Sequence, residues 1–111
     1  MALPIKHQAE TTWINSWVEA GYTVHVSSIA SFEMSTSGVN LADINYILRT
    51  GRVVESDMVE ASSSVRGLWD VEGRTVDDDL LRVTVSVDST HYDVELIEIV
   101  KLRKGRARSI K

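Results

Sequence analysis

The second half of the chain alternates apolar and polar residues, which is the pattern of β-strands. The clearest run is LLRVTVSVD, residues 80–88, in which every second residue from Leu81 onward is apolar. Residues 52–61, 65–73 and 92–102 show the same alternation. Because successive side chains of a strand point to opposite faces, each run predicts one apolar face and one polar face.

Two of these runs predict further details of the strands. In residues 52–61 the alternation places Val53 and Glu55 on the same face. In residues 92–102 the phase slips at Leu96–Ile97. Such a slip indicates either a β-bulge or a strand that is buried on both faces.

The first twenty residues have helical spacing instead. Apolar side chains recur at every fourth position between residues 5 and 20, and two more widen the stripe. The stripe consists of Ile5, Ala9, Trp13 and Trp17, with Ile14 and Val18 beside them. Gly21 is a natural stop for this helix. Two tryptophans one turn apart usually pack in a core, and a partner-binding face is the alternative.

Residues 22–26 are expected to form a short strand or an extended link, and a second helix follows. Ser27 or Ser28 can cap its beginning, and Gly38 is expected to end it. The side chains expected to face inward are Ile29, Phe32 and Ala30.

A third helix is predicted within NLADINYILRTGRVV, residues 40–54. Asn40 is a good N-cap, and the charge of Asp43 at the third helical position suits the helix dipole. The buried stripe is expected to comprise Leu41, Ile44, Ile47 and Leu48. Gly51 is expected to adopt the left-handed conformation that often ends a helix, and the first long strand follows it.

The order of these elements predicts an α+β fold. Helices come first, strands come last, and short turns join the strands, which favours two or three helices packed on a three- to four-stranded antiparallel meander. Residues 1–102 are expected to form a single domain. Residues 103–111 are expected to form a flexible basic tail.

The composition adds few chemical constraints. A chain of 111 residues is the size of one domain, and its 43% hydrophobic residues suffice for one core. It contains no cysteine, which excludes disulfides, thiol catalysis and cysteine-bound zinc, and fits a reducing compartment. The beginning lacks a signal-peptide core, and no apolar run approaches the roughly 20 residues that span a bilayer. We therefore expect a cytoplasmic protein without membrane contact.

No metal site or cofactor is expected. The three histidines are scattered and form neither an HxxxH nor an HxH pattern. Phosphate-binding glycine loops and serine nucleophile motifs are missing from the sequence.

Charge is distributed unevenly along the chain. Residues 101–111 hold six of the twelve Lys and Arg and none of the sixteen Asp and Glu, so this segment carries +6 and residues 1–100 carry −10. The acidic body repels phosphate. The basic residues that are candidates for contact with nucleic acid or an acidic partner are Lys101, Arg103, Lys104, Arg106 and Arg108. Alternatively, the tail folds back on its own acidic body.

The run VHVSSIASFEMSTSGVNLADINYILRTGRVV, followed by WDVEGRTVDDDLLRVTVSVD, resembles a family of small bacterial and phage proteins. That family is related to RelE-type toxins, in the barnase–colicin–RelE group of metal-independent ribonucleases. The resemblance covers about residues 22–102 and rests on hydrophobic spacing plus Gly51 and Gly73. It implies a helix with a His-Ala-x-x-Arg motif, then a second helix that ends in glycine and opens the sheet.

This chain departs from that motif at the positions that carry the chemistry. Ile29 stands where the family has His, Ala30 is kept, and Glu33 stands where the family has Arg. A metal-independent nuclease needs a group that transfers a proton and cations that stabilise charge on the phosphate. An aliphatic side chain performs neither role, and a carboxylate repels the phosphate.

Three functions therefore remain open. The first is a toxin-like but non-catalytic protein-binding module of a phage, plasmid or toxin–antitoxin system, for example an inhibitor of a host defence or toxin system. Its candidate partner-binding residues are Trp13, Trp17, Asp77, Asp78 and Asp79. The second is a ribonuclease toxin with a rearranged site, in which His25 transfers the proton and Arg66 and Arg82 hold the phosphate. The third is a structural subunit that forms a homodimer.

Overall fold

The structure is a computed structural model, and it describes residues 7–19, 24–61, 64–88 and 93–103. These residues form three helices and five strands, an α+β fold with the helices N-terminal to the long strands, as predicted. The elements in chain order are α1 (Gln8–Glu19), β1 (Val24–Val26), α2 (Ser28–Ser37), α3 (Leu41–Thr50), β2 (Arg52–Ala61), β3 (Ser64–Arg74), β4 (Leu80–Asp88) and β5 (Asp93–Arg103).

All five strands belong to one sheet, in the order β1-β5-β4-β3-β2. The four long strands form the predicted antiparallel meander. The fifth strand is the three-residue β1, which pairs parallel with β5 at the edge of the sheet. The chain therefore forms one edge strand, β1, first and then the helices α2 and α3. The strand β2 that follows lies at the opposite edge, and β3, β4 and β5 are added in turn back toward β1.

One face of the sheet forms the core. On β4 the residues alternate strictly between buried and partly buried, with Leu81, Val83, Val85 and Val87 buried as predicted. α1 packs on α3 and β2, α3 packs on β3, and α2 packs on β5, so these helices lie against the sheet at three places. The buried sheet residues beneath them include Val53, Trp69, Val71, Val94, Leu96 and Ile99.

The register of the described sheet shifts at three places, and one of them lies at the predicted phase slip. Another, between β4 and β5, separates the pair Leu80 and Arg103 from the pair Leu81 and Lys101. On β5 the register shifts so that Thr84 pairs with Glu98 and Val85 with Leu96, which leaves Ile97 as the extra residue, at the predicted phase slip. On β2 the register shifts between Val53 and Glu55.

The bulge on β2 corrects the face assignments that simple alternation gave. Val53 is buried opposite Val71, whereas Glu55 lies opposite Asp70 on the other face. The prediction that Val53 and Glu55 share a face was wrong, because one extra residue in a strand reverses the side-chain alternation beyond it.

α1 buries a narrower stripe than its spacing predicts. Thr11, Ile14 and Trp17 are buried, whereas Ala9 is exposed, so the assignment of Ala9 to the apolar stripe was wrong. The hydroxyl of Thr11 accepts a hydrogen bond from the Val53 N–H (2.9 Å) at the β2 bulge. This bond turns the Thr11 side of the helix toward the sheet. Ile5, Gly21 and the side chain of Val18 lie outside the described residues.

α3 begins as predicted. The Asn40 side chain accepts from the Asp43 N–H (2.8 Å), and the Asp43 carboxylate accepts from the Asn40 N–H (3.1 Å). These reciprocal bonds satisfy two of the free donors at the start of the helix. The buried stripe is Ile44, Ile47 and Leu48. Leu41 is 41% exposed, so its assignment to the buried stripe was wrong.

The end of α3 differs from its prediction. Gly51 is extended (φ −81°, ψ −171°), so the predicted left-handed conformation was wrong. A Cβ at Gly51 would collide with the carbonyl oxygens of Ile47 and Glu72, so glycine is required here by close packing on β3. Asn15 of α1 donates to the carbonyl oxygens of Leu48 (2.6 Å) and Gly51 (3.3 Å) and thereby satisfies free acceptors at this end.

α2 is capped as predicted but presents a different face to the sheet. The Ser27 hydroxyl accepts from the Ala30 N–H, and Gly38 ends the helix in the left-handed conformation. Ala30 is buried, but Ile29 and Phe32 are 62% and 69% exposed, so the prediction that these two face inward was wrong.

Candidate functional site

The face of the sheet opposite the core is acidic. We call it the open face, because the described helices pack on the other side and its described side chains are partly or fully exposed. Thr84, Ser86 and Asp88 mark this face on β4, since they alternate with buried valines. Among the side chains that the structure describes, the carboxylates at these positions along β2 to β5 are Glu55, Asp70, Asp88 itself, Asp93, Glu95 and Glu98.

These six carboxylates, which we call the acidic half of the open face, include neighbours of like charge. Glu55 lies directly opposite Asp70, and Asp88 lies directly opposite Asp93. Like charges in directly opposite positions of a sheet are destabilising. The Thr84 hydroxyl donates to Asp70 (2.6 Å), which provides Asp70 with a hydrogen bond but no opposite charge.

The imidazole of His25 lies beside the acidic half, at the β1 edge of the sheet. It projects from β1, level with Glu95 of β5, and its Nε2 lies 3.1 Å from Asp93 Oδ1. Both side chains are about half exposed, so solvent screens the contact and its contribution to stability is small.

Two shallow depressions lie on the open face. One, of about 440 Å³, is lined by His25, Ser86, Asp88, Asp93 and Glu95. The other, of about 250 Å³, is lined by Glu55, Ser56, Leu68, Asp70 and Thr84. Their linings are rich in hydrogen-bond acceptors and negative charge, which suits lysine and arginine side chains and opposes phosphate.

Arg82 lies beside the acidic half but is already paired. Its Nε and Nη2 both donate to Glu72 Oε2, at 3.0 and 2.6 Å. These hydrogen bonds, together with the charges of Glu72, Asp70 and Glu55, raise the pKa of Arg82 above its ordinary value. The guanidinium is therefore held by carboxylates on the sheet itself, where a phosphate would have to displace Glu72.

The structure does not bring His25 and Arg82 together. His25 is level with Glu95 and Ser86, and Ser86 is four residues along β4 from Arg82, which is about 13 Å of strand. The backbone of Arg66 pairs with Asp88, and the side chain of Arg66 lies outside the described residues. The two described ribonuclease candidates are therefore each paired with a carboxylate at separate places on the sheet.

Glu33 has a structural role that sequence reasoning missed. Among the described residues no strand pairs with this edge of β5 beyond β1, and α2 packs on β5. Ser27 binds this edge through its N–H, which donates to Leu96 O (3.0 Å), and its hydroxyl, which donates to Ile97 O (3.1 Å). Glu33 Oε1 then accepts from the Ile99 N–H (2.8 Å). The carboxylate of Glu33 thus accepts a main-chain hydrogen bond from the edge of a bulged strand.

The predicted partner-binding tryptophans lie largely inside the fold. Trp17 is 7% exposed, and Trp13 is partly buried against the core. The Trp13 ring centroid lies 3.8 Å from that of Trp17 and 5.2 Å from that of Trp69, the latter in an edge-to-face arrangement. These contacts account for packing, and a role for Trp13 and Trp17 in partner binding stays a prediction.

The predicted acidic turn lies between β3 and β4. Asp78 has a left-handed backbone (φ 71°) and accepts from Arg74, whose Nη1 lies 3.1 Å from Asp78 O. Asp79 Oδ2 lies 3.4 Å from Lys101 Nζ, and Asp77 is exposed. Partner binding by Asp77, Asp78 and Asp79 also stays a prediction.

The basic segment begins within the sheet. Lys101 and Arg103 belong to β5, and Arg103 pairs with Leu80 on β4. Lys101 Nζ also lies 3.4 Å from Ser37 O at the end of α2. Lys104, Arg106 and Arg108 lie outside the described residues.

Within the described ranges, groups that could bind a metal ion and helices that could span a membrane are both absent. No group of three or more His, Asp or Glu side chains in them is arranged to hold a metal ion. No helix among them is both long enough and apolar enough to cross a bilayer.

Comparison with family models, with curated proteins and with solved structures finds no match to this chain. The resemblance to RelE-type toxins therefore stays a prediction that rests on spacing and two glycines.

Proposed function

We propose that this protein is a non-catalytic binding module whose acidic open face binds a basic surface of another protein. The observation that carries the proposal is the gathering of six carboxylates from four elements of the sheet on one uncovered face. Complementary charge steers association and rejects wrongly charged partners. A face built in this way selects a partner rich in lysine and arginine.

The same face argues against RNA as the ligand. A ribonuclease surface must attract phosphate, and the acidic half repels it. The side chains that would serve catalysis are also engaged, because Asp93 contacts His25 and Glu72 holds Arg82. A binding role uses these carboxylates directly, whereas a nuclease role would have to overcome them.

The family resemblance adds a biological setting to the proposal. A toxin-like fold without the motif's His and Arg would act by binding a component of a toxin system or of a host defence machine, in the bacterial cytoplasm. Neighbouring genes test this setting, since an adjacent antitoxin-like repressor supports it and an unrelated metabolic operon contradicts it.

The binding function is tested by capture with single charge variants. Wild-type protein, Glu95→Gln, Glu98→Gln and the control Asp77→Asn are immobilised, and retained bacterial proteins are identified by mass spectrometry at low and high salt. Asp77→Asn removes one exposed carboxylate that lies in a turn and not on the open face.

The proposal expects a stoichiometric basic protein that is retained by the wild type and by Asp77→Asn, and that is reduced with Glu95→Gln and Glu98→Gln. Equal retention by all four proteins would contradict it. Loss with Asp77→Asn alone would instead favour the acidic turn as the binding site. A parallel incubation with RNA should leave the RNA intact, and cleavage that is abolished by His25→Ala would overturn the proposal.

A further inference from the structure

The sequence that follows β5 has the charge opposite to that of the acidic half. Residues 104–111, KGRARSIK, contain four Lys and Arg and no Asp or Glu. They continue directly from Arg103, the last residue of β5, which itself belongs to the sheet that carries the carboxylates. We propose that residues 104–111 fold back across the open face and bind the acidic half of the same chain.

The segment is long enough to do so. Eight extended residues span about 26–29 Å. Glu98 lies five residues before Arg103 on β5, which corresponds to about 17 Å along the strand. If Lys104 and Gly105 form the turn, residues 106–111 still span about 20 Å, enough to reach the level of Glu98. Glycine at this position permits the backbone conformations that a tight reversal requires.

The spacing of the charges also fits. In an extended segment Arg106 and Arg108 point to the same side, about 6.6 Å apart. Side chains on one face of a strand also recur every two residues. The side chains of an extended segment can therefore lie beside successive cross-strand rows of the open face. The segment would first pass the cross-strand row that contains Arg82, where the charge of Arg82 is balanced by Glu72.

The next row has an excess of negative charge, because the adjacent Arg82 is already hydrogen-bonded to Glu72. It contains Glu55, Asp70 and Glu98, with Thr84 between the last two. Two arginines aligned with the strands would place positive charge beside this row and reduce the repulsion between Glu55 and Asp70. The tail thus supplies cations at the place where the described sheet has none.

The consequence for function rests on the function proposed above. A segment tethered a few residues from its site acts at an effective concentration in the millimolar range. It would compete with a basic partner for the same carboxylates. A weakly charged protein surface would then not bind the acidic half, whereas a more basic partner would displace the segment. The acidic half would then be a site with a built-in competitor.

The contact is tested in the protein alone. Because the chain has no cysteine, a nitroxide attached to Ser109→Cys labels one site only. We expect the label to broaden the amide resonances of Glu55, Asp70 and Glu98, and not those of α1 and α3. The broadening should fall at about 1 M salt, where the Debye length is about 3 Å. It should also fall in the labelled variant K104Q/R106Q/R108Q/K111Q.

Two results would overturn the intramolecular contact. The first is the absence of broadening on the open face at low salt. The second is equally strong broadening of the same resonances when nitroxide-carrying chains without isotope label are mixed with isotope-labelled chains that carry no nitroxide, which would assign the contact to a second copy.

A second measurement separates this inference from the proposed function. A hexa-arginine peptide is titrated into the wild type and into K104Q/R106Q/R108Q/K111Q. Competition predicts that the variant binds the peptide about 3- to 10-fold more tightly. Broadening without peptide binding in the variant would support the contact and reject the binding function. Equal peptide affinity of both proteins, without broadening, would reject the contact and leave the binding function standing.

Discussion

The two faces of the sheet differ in burial and in charge. On the covered face, Val83, Val85 and Leu96 are fully buried, and helices pack over them. On the open face, Thr84 lies between Val83 and Val85, and Glu55 and Asp70 are direct neighbours of like charge. Burial accounts for these apolar residues of the covered face. The like-charged pair Glu55 and Asp70 on the open face opposes folding. Residues that oppose folding often serve a function, and this difference supports the proposed binding role.

The largest expected difference between the faces lies in stability. Leu96→Ala removes a fully buried side chain from β5 and should lower the free energy of unfolding by about 2–5 kcal/mol. The adjacent Glu95→Gln, on the open face, should change it by less than about 0.5 kcal/mol. Urea denaturation followed by circular dichroism measures both. Similar losses for the two variants would show that the open face is packed against something.

The polar seam between α2 and β5 should give an intermediate effect. Glu33→Ala leaves the Ile99 N–H without its acceptor and should lower the free energy of unfolding by about 1–3 kcal/mol. Glu33→Gln keeps a carbonyl oxygen at that position and serves as the matched control, with a clearly smaller loss. If both variants were as stable as the wild type, Glu33 would not be the residue that completes this edge.

The smallest effect has the opposite sign. Glu55→Gln removes one member of the like-charged pair with Asp70 and should raise the free energy of unfolding by roughly 0.2–1 kcal/mol. Glu98→Gln is the control, because Glu98 lies opposite Thr84 and has no carboxylate directly across from it. A stability loss with Glu55→Gln, or equal gains for both variants, would mean that the repulsion is compensated within the sheet.

Much of the covered face follows from local patterns. The alternation over residues 80–88 predicts both the limits of β4 and its buried residues, and the phase slip at Leu96–Ile97 predicts the bulge on β5. The helix that starts at Asn40 is equally predictable, since its cap involves residues only three positions apart.

The wrong predictions concern residues whose orientation is determined by contacts with distant parts of the chain. The orientation of α2 depends on the free edge of β5, which Ser27 and Glu33 bind, and no local pattern reveals that edge. The β2 bulge depends on Thr11 of α1, which accepts from the Val53 N–H. Gly51 looks like a helix terminator in the sequence, but its place is dictated by the carbonyl oxygen of Glu72.

The acidic half could be anticipated only in part. Polar positions at every second residue do indicate an open face, and acids at Asp70 and Glu95 fall on that pattern. Their convergence depends on the strand order and on two bulges, which decide that Glu55 and Glu98 join them. The charge of a face is thus a property of register, which the sequence pattern alone leaves open.

The most direct test of the binding account is a titration of a hexa-arginine peptide into isotope-labelled K104Q/R106Q/R108Q/K111Q, in which the tail cannot compete. The account predicts chemical-shift changes at Glu55, Asp70, Glu95 and Glu98, an affinity that falls steeply as salt rises, and weaker binding when Glu98→Gln is added. It would be contradicted by shift changes confined to the helices, or by binding that neither salt nor Glu98→Gln affects.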